Sequence, residues 1–324
     1  MAVLLTGAAG FIGFHVAEAL LSRGEDVIGI DNLNPYYSVK LKQDRLARLE
    51  DRTGFRFHCV DLADAGALDA ALNGVKLDGI IHLAAQAGVR YSLEAPMTYV
   101  SSNLVGHMTI LELARRQESC RHLVYASSSS VYGGNRKLPF SESDAVDNPV
   151  SLYAATKKGD ELMSQAYAST HQLVQTGLRF FTVYGPWGRP DMALWLFTEA
   201  ILAGKPIRVF NHGDMKRDFT FVDDIVDGVL RAYDRPPSEA DGPPHRIYNI
   251  GNNRSEPLLK LIGLLEQAIG IEAIRHLEPM QTGDMKETYA DLTAIGRDLG
   301  YAPTTPIEEG VPRFVKWFRD YHGL

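Results

Sequence analysis

Glycines at 7, 10 and 13 in "LLTGAAGFIG" stand between an apolar run and the first turn of a helical pattern, and few backbones need three glycines at that place. With no side chains in the way, the turn leaves backbone N–H groups open at a helix N-terminus, where unpaired donors and the helix dipole favour a pyrophosphate. A second mark follows about 20 residues on. Asp31 ends the next strand pattern, "DVIGID", where a carboxylate accepts hydrogen bonds from ribose hydroxyls. Asn32 and Leu33 follow it in place of Arg, and a carboxylate there repels a 2′-phosphate, so the pattern selects NAD over NADP. Asp61, after "FHCV", borders the adenine by the same strand-end logic. A glycine-rich turn followed by an ordinary capping Asp is the plainer alternative, and the joint spacing speaks against it.

The first half of the chain goes on alternating short apolar runs with helical patterns: "VLLTG", then Ile12, Val16 and Leu20, then "DVIGID", "DGIIHLAA" and "HLVYAS". This alternation predicts an α/β fold, a doubly wound parallel (Rossmann) sheet with helices on both faces. Two longer helical stretches, about 97–117 and 151–171, carry apolar residues on more than one face, which places them against core or a second subunit. From about residue 186 the texture changes, with Pro186, Pro190, Pro206 and the loop "RPPSEADGPPH" between shorter elements. The expected division is an NAD-binding domain over 1–185 and a smaller α/β substrate domain over 186–324. "LRFFTVYG" and "RIYNIGN" still read as strands, so a strand near 246–252 is expected to return to the first sheet.

Composition removes several classes. A chain of 324 residues, 45% hydrophobic and 23% charged, buries a large core and reads as a soluble globular protein. Its net charge of −7 argues against nucleic acid or an anionic membrane surface as a partner. No basic leader or long apolar span is present, so a cytoplasmic protein is expected. Cys59 and Cys120 lie far apart in mostly apolar, strand-like settings and read as reduced, buried thiols. The ten histidines have no ligand spacing, and no metal site is expected.

Chemistry is marked by "SLYAATKKG", where Tyr153 and Lys157 stand four apart on one helix face. Elsewhere such a pair is mostly a surface feature. Beside a nicotinamide, however, the Lys ammonium and the cofactor's positive ring both stabilise a phenolate. Such a phenolate takes a proton from a sugar hydroxyl while its carbon gives hydride to the cofactor. One of the serines in "YASSSSVYG", at the end of a strand pattern, would share that proton.

The glycine pattern, "HLAA", the serines before "VYG" and the Tyr–Lys spacing together resemble the extended short-chain dehydrogenase/reductase family, the nucleotide-sugar epimerases and dehydratases. "RDFTFVDD", "YNIGN" and "YAD" extend the resemblance over nearly the whole chain. More narrowly, "NPYYSVKLK", "AGVRYSLE", "VSLYAATKKG" and "LRFFTVYGPWGRPDMA" are similar to UDP-glucuronate 4-epimerases. The resemblance implies Tyr153 as base, Lys157 as its modulator and Ser128 at the reacting oxygen. It implies NAD contacts from Phe11, Ile12, Leu62, Leu83, Ala84 and Ala85, with Asn103 on the nicotinamide side. Phe210 and Arg217 are implied at the nucleotide sugar, Arg217 at its diphosphate, and a homodimer built on the two long helices is implied as well. Phe14 departs from the pattern, since a small Ser is common after "GFIG".

The serines narrow the reaction. Ser129 and Ser130 stand where related dehydratases carry a pair that resembles Asp-Glu, and where decarboxylases carry Glu at the second position. Without those acids the expected chemistry is oxidation and reduction at C4 through a transient ketone, hence epimerisation. A C4 ketone turns a uronate into a β-keto acid, and hydrogen bonds from Ser129, Ser130 and Thr182, with a charge-assisted one from Arg189, would hold its carboxylate out of the alignment for carbon dioxide loss. The alternative makes these serines turn caps and Arg189 a surface ion-pair partner. A UDP-glucose 4-epimerase, a decarboxylase without Glu and a non-catalytic NAD-binding sensor are the rival functions.

Overall fold

The computed structural model describes residues 2–238, 242–280 and 285–324, so part of the Pro-rich loop 235–245 lies outside them. Ala2–Thr6 (β1) leads into Phe11–Ser22 (α1), and the alternation continues through Asp26–Asp31 (β2), Val39–Glu50 (α2), Phe55–Cys59 (β3), Ala65–Ala71 (α3) and Leu77–His82 (β4). Tyr91–Glu94 (α4), Pro96–Tyr99 (α5) and Gly106–Arg116 (α6) precede Leu123–Ser128 (β5), Leu152–His171 (α7) and Gln175–Phe180 (β6). Thr182–Tyr184 (β7), Ala193–Leu202 (α8), Ile207–Val209 (β8), Lys216–Arg217 (β9), Phe219–Phe221 (β10) and Val222–Asp234 (α9) follow. The rest is His245–Ile250 (β11), Glu256–Pro257 (β12), Leu258–Ile269 (α10), Arg275–Leu277 (β13), Thr293–Leu299 (α11) and Ile307–His322 (α12).

Seven parallel strands lie in the order β11-β6-β5-β4-β1-β2-β3. β1 is buried along its whole length because helices cover both faces, which is why it reads as a continuous apolar run. The strand order reverses between β1 and β4, and a crevice opens there at the carboxyl ends of the strands. This is the doubly wound sheet expected. β11 carries "RIYNI" back to its edge, with Ile250 opposite Phe180.

The later elements form two-stranded pairs, β7 with β10, β9 with β12 and β8 with β13. One apolar core nevertheless runs through both halves, from Phe14 and Leu20 of α1 to Ile225 and Val229 of α9 and Phe314 of α12. Buried Asp218 gathers the loops around it, accepting N–H from Asn252, Asn253 and Ala290 at 2.6, 3.1 and 3.1 Å. The helix expected over 151–171 is α7. The one expected over 97–117 is not uniform: Pro96 opens α5, and Val100–Val105 is π-helical before α6 begins. Both cysteines need correction. Cys59 is exposed at the end of edge strand β3, and Cys120 sits in the turn before β5, partly buried, its thiol pushed up to about 11 by burial. Apolar neighbours in sequence misled because β3 has one open edge.

Among the described residues no helix is long and apolar enough to cross a membrane, and no group of three or more His, Cys, Asp or Glu is placed to hold a metal ion. Several histidines are core residues instead. Burial holds His15, His122 and His245 down at about 4 and His82 at about 3, each with a hydrogen-bond partner such as Thr6 Oγ1 at 2.7 Å from His82. The unfolded chain therefore binds more protons below about 6.5, so this stability, complete above that pH, is lost as pH falls toward 4. Asp160 and Asp218, lifted by burial to about 6, work the other way below pH 6. His107 is held down by burial as well and Glu18, Glu25, Asp31 and Glu142 are lifted by it, but the imidazoles' proton difference opens first as pH falls, from about 6.5, so the balance at pH 5 is a net loss. The midpoint of urea unfolding should be lower at pH 5 than at pH 7.5; an equal or higher midpoint at pH 5 would contradict this balance.

Candidate active site

At the reversal point the glycine turn leaves no room for side chains. Gly7 has φ +74°, and a Cβ on it would lie 2.8 Å from Ala84 N, while a Cβ on Gly13 would lie 2.0 Å from Gly7 O. Gly10 caps α1 without any side-chain hydrogen bond, and the first turn of α1 has no acidic residue, so its amides remain open to an anion. Asp31 is buried at the end of β2, its Oδ1 accepting Leu33 N–H at 2.9 Å. Burial pushes its carboxyl up, though Lys42 and backbone N–H donors pull against that. Asn32 Nδ2 donates to Asp61 Oδ2 at 2.9 Å and joins the ends of β2 and β3. These residues fit a dinucleotide: an open phosphate cradle, with a buried carboxylate one strand away for ribose hydroxyls.

A cleft of about 270 Å³ runs from this cradle. Gly7, Gly10, Phe11, Ile12 and Gly13 line one end, with Asp31, Asn32, Asp61 and Leu62; Leu83, Ala84 and Ala85 follow, then Ser128, Tyr153, Lys157 and Arg189. Tyr153 and Lys157 come from the start of α7, where Ser151 caps the helix by accepting Ala154 N–H at 3.1 Å. The Tyr153 ring meets Tyr99 edge-on at 6.0 Å. Lys157 Nζ donates to Asp160 Oδ2 at 3.0 Å, both side chains almost fully buried, and burial holds the Asp160 carboxyl up at about 6 against the pull of Lys157.

The four serines divide. Ser127 points inward to Glu161 Oε1 at 2.7 Å, and Glu161 pairs with Arg179 through two bonds of 2.8 Å, so β5 and α7 are fastened beneath the cleft. Ser128 faces the cleft, accepts Ser130 N–H at 3.2 Å and donates to Ser130 Oγ at 3.1 Å. The capping role thus falls to Ser128. Ser129 and Ser130 form the 3-10 turn behind it and, like Thr182 at the start of β7, are not among the cleft's lining residues. Asn103 is not among them either. It lies in the π-helical turn, accepting Gln86 N–H at 2.8 Å and donating to Gln86 O at 3.1 Å and Thr156 Oγ1 at 3.0 Å. Phe210 sits instead between the guanidiniums of Arg90 and Arg208, 5.1 and 5.0 Å from its ring centre. Arg217, on β9, donates from Nη1 to Lys216 O and Lys286 O. Neither Phe210 nor Arg217 is among the cleft's lining residues.

Arg45 carries no mark in the sequence. Fully buried, it donates from Nη1 to Ala9 O and the Tyr37 hydroxyl, each at 2.9 Å, and from Nη2 to Trp187 O and Gly188 O at 2.6 and 3.2 Å. It joins the glycine turn to the loop that carries Arg189, including Trp187 at φ +60°. Phe14 packs on that Trp187, ring centres 5.5 Å apart, which accounts for its bulk. Arg189 Nε and Nη2 donate to Asp191 at 3.0 and 2.5 Å, and the Tyr36 hydroxyl donates to Asp191 Oδ2 at 3.0 Å. Burial raises the Asp191 carboxyl, but the charge and hydrogen bonds of Arg189, with Tyr36, hold it below the usual range.

The pattern of the NAD dependent epimerase/dehydratase family covers residues 3–251. The probable UDP-glucuronate 4-epimerase of Rhizobium meliloti (strain 1021) is 46% identical over 331 residues, 98% of this chain and 97% of its own. UDP-glucuronate 4-epimerase 4 of Arabidopsis thaliana is also 46% identical over 331 residues, 99% of this chain and 76% of its own. The crystal structure of UDP-glucuronic acid 4-epimerase from Bacillus cereus in complex with UDP-glucuronic acid and NAD superposes with a TM-score of 0.89 at 31% identity, covering 99% of this chain and 100% of that one. With a phosphate cradle, a ribose carboxylate and a Tyr–Lys pair in one cleft, this chain belongs to the NAD dependent epimerase/dehydratase family.

Proposed function

We propose that this protein is an NAD-dependent 4-epimerase that interconverts UDP-glucuronate and UDP-galacturonate. The observation that carries the reading is Ser128, Tyr153 and Lys157 lining one cleft with the glycine cradle and Arg189, and no carboxylate at 129 or 130. NAD, when bound, would supply the hydride acceptor and donor that C4 oxidation and reduction require. Tyr153 takes the C4 hydroxyl proton, Ser128 holds the same oxygen, and Lys157 stabilises the phenolate. The cradle and Asp31 would hold the cofactor's pyrophosphate and ribose. Without an acid at 129–130 no group promotes loss of water, so the 4-keto sugar turns over and is reduced. Arg189 meets the C6 carboxylate. Residues 186–324 supply the nucleotide-sugar side. Proton NMR of the protein with UDP-glucuronate should show UDP-galacturonate growing in to a mixture of the two, with no pentose nucleotide; unchanged substrate would reject the reading.

We also propose a homodimer built on α6 and α7. Leu104, Val105, Met108 and Met163 line an open apolar groove, and Val105 and Leu162 are 44% and 58% exposed. Light scattering should give twice the chain mass, and Leu162→Glu should shift it to the monomer; a monomeric wild type would end this proposal.

A further inference from the structure

A guanidinium has two edges that seat a carboxylate bidentately, Nε with Nη2 and Nη1 with Nη2. In Arg189 the first edge is taken by Asp191, and no hydrogen bond among the described residues uses Nη1. Asp191 is not loose. Its Oδ2 also accepts the Tyr36 hydroxyl, and the Tyr36 ring rests on Tyr91 with centres 4.7 Å apart. Arg45, through Trp187 O and Gly188 O, fixes the loop just before the pair. Arg189 therefore enters the reaction with a resident counter-ion and one edge open.

A partly buried cation without a partner loses hydration that nothing replaces, so an unpaired Arg189 would disfavour any sugar lacking a carboxylate. We propose that Asp191, held by Tyr36, is the specificity-setting positioning residue: it keeps Arg189 neutralised when the sugar has no charge at C6, so the site admits neutral UDP-hexoses beside UDP-uronates. This rests on the 4-epimerase reading above. With Asp191 in place a uronate carboxylate shares Arg189 with a second carboxylate, which also weakens its hold and eases the turnover of the keto sugar.

Asp191→Asn keeps the shape and removes the charge. The ratio of affinities for UDP-glucuronate over UDP-glucose, measured by calorimetry on the NAD-loaded protein, should rise about tenfold, since a near charge then has one partner fewer. In turnover the change should appear as a lower KM for UDP-glucuronate with kcat unchanged or reduced, and UDP alone should bind as before. Tyr36→Phe, which frees Asp191 on one side, should shift the ratio the same way by a smaller factor. Equal loss for both sugars, or an unchanged ratio, overturns the proposal; if Asp191→Asn does not fold, an unchanged ratio in Tyr36→Phe does so alone. A wild type that epimerises neither sugar rejects the enzyme reading, while the binding ratios still decide the role of Asp191.

Discussion

Tyr153→Phe should abolish epimerisation and leave NAD in place. The substitution removes one hydroxyl and keeps the ring, so the edge-on contact with Tyr99 survives and the start of α7 keeps its Ser151 cap. What disappears is the group that takes the C4 proton. Positioned proton transfer contributes roughly a hundred- to ten-thousandfold, so kcat should fall by at least that range while the KM for UDP-glucuronate moves little. Ser128 does not replace it, because among the described residues its side-chain partner is Ser130 and not a base that could relay the proton onward. Lys157, which gives one N–H to Asp160, acts on the phenolate by its charge and supplies no acceptor for the proton. NAD released on denaturing the purified variant should match wild type, which separates loss of chemistry from loss of fold. Near-wild-type turnover would remove Tyr153 from the mechanism, whereas loss of both turnover and cofactor would make it a structural residue.

The parts of the site that were legible beforehand are those written in short stretches of chain. The glycine turn, Asp31 at the end of its strand and the Tyr–Lys pair are each fixed by local spacing, and the cleft brings all of them together. The pieces that were missed are made between distant positions. Arg45 reaches Trp187, Tyr36 reaches Asp191, and Asn103 reaches Thr156, with nothing in the neighbouring sequence to announce a partner. Asp160 stands only three residues past Lys157, but that spacing on a helix is ordinary, and only burial makes the pair distinctive. A run of hydroxyls has no direction until the turn is built, so the four serines alone do not say which of them face the sugar. Once Ser128 caps the 3-10 turn, the next two side chains follow the turn's geometry. Cys59, expected buried, is exposed for a related reason: whether a strand's last residue is covered depends on its place in the sheet, and β3 is at the edge.

Gly13→Ala should be among the most damaging single methyls at the described glycines, and Gly263→Ala the control that isolates why. A Cβ on Gly13 would sit 2.0 Å from Gly7 O and 2.7 Å from Gly7 C, both backbone atoms of the turn itself. No rotamer relieves that contact. The first turn of α1 has to retreat from the glycine turn by about 1 Å, in an interior too closely packed to absorb it. Overpacking of this kind costs about 1–3 kcal/mol of stability. It costs the cofactor more, because the amides that receive the pyrophosphate are the ones displaced, and NAD affinity should fall by about a hundredfold or more. Gly263 lies inside α10 with nothing within 4 Å of its would-be Cβ. There the same methyl only restricts the unfolded chain and favours the helix, so stability should rise by about 0.5–1 kcal/mol with NAD affinity unchanged. Urea unfolding and NAD titration of the two variants side by side check both signs. If Gly13→Ala binds NAD like wild type, the turn is not the phosphate cradle, and the assignment of Gly7, Gly10 and Gly13 fails with it.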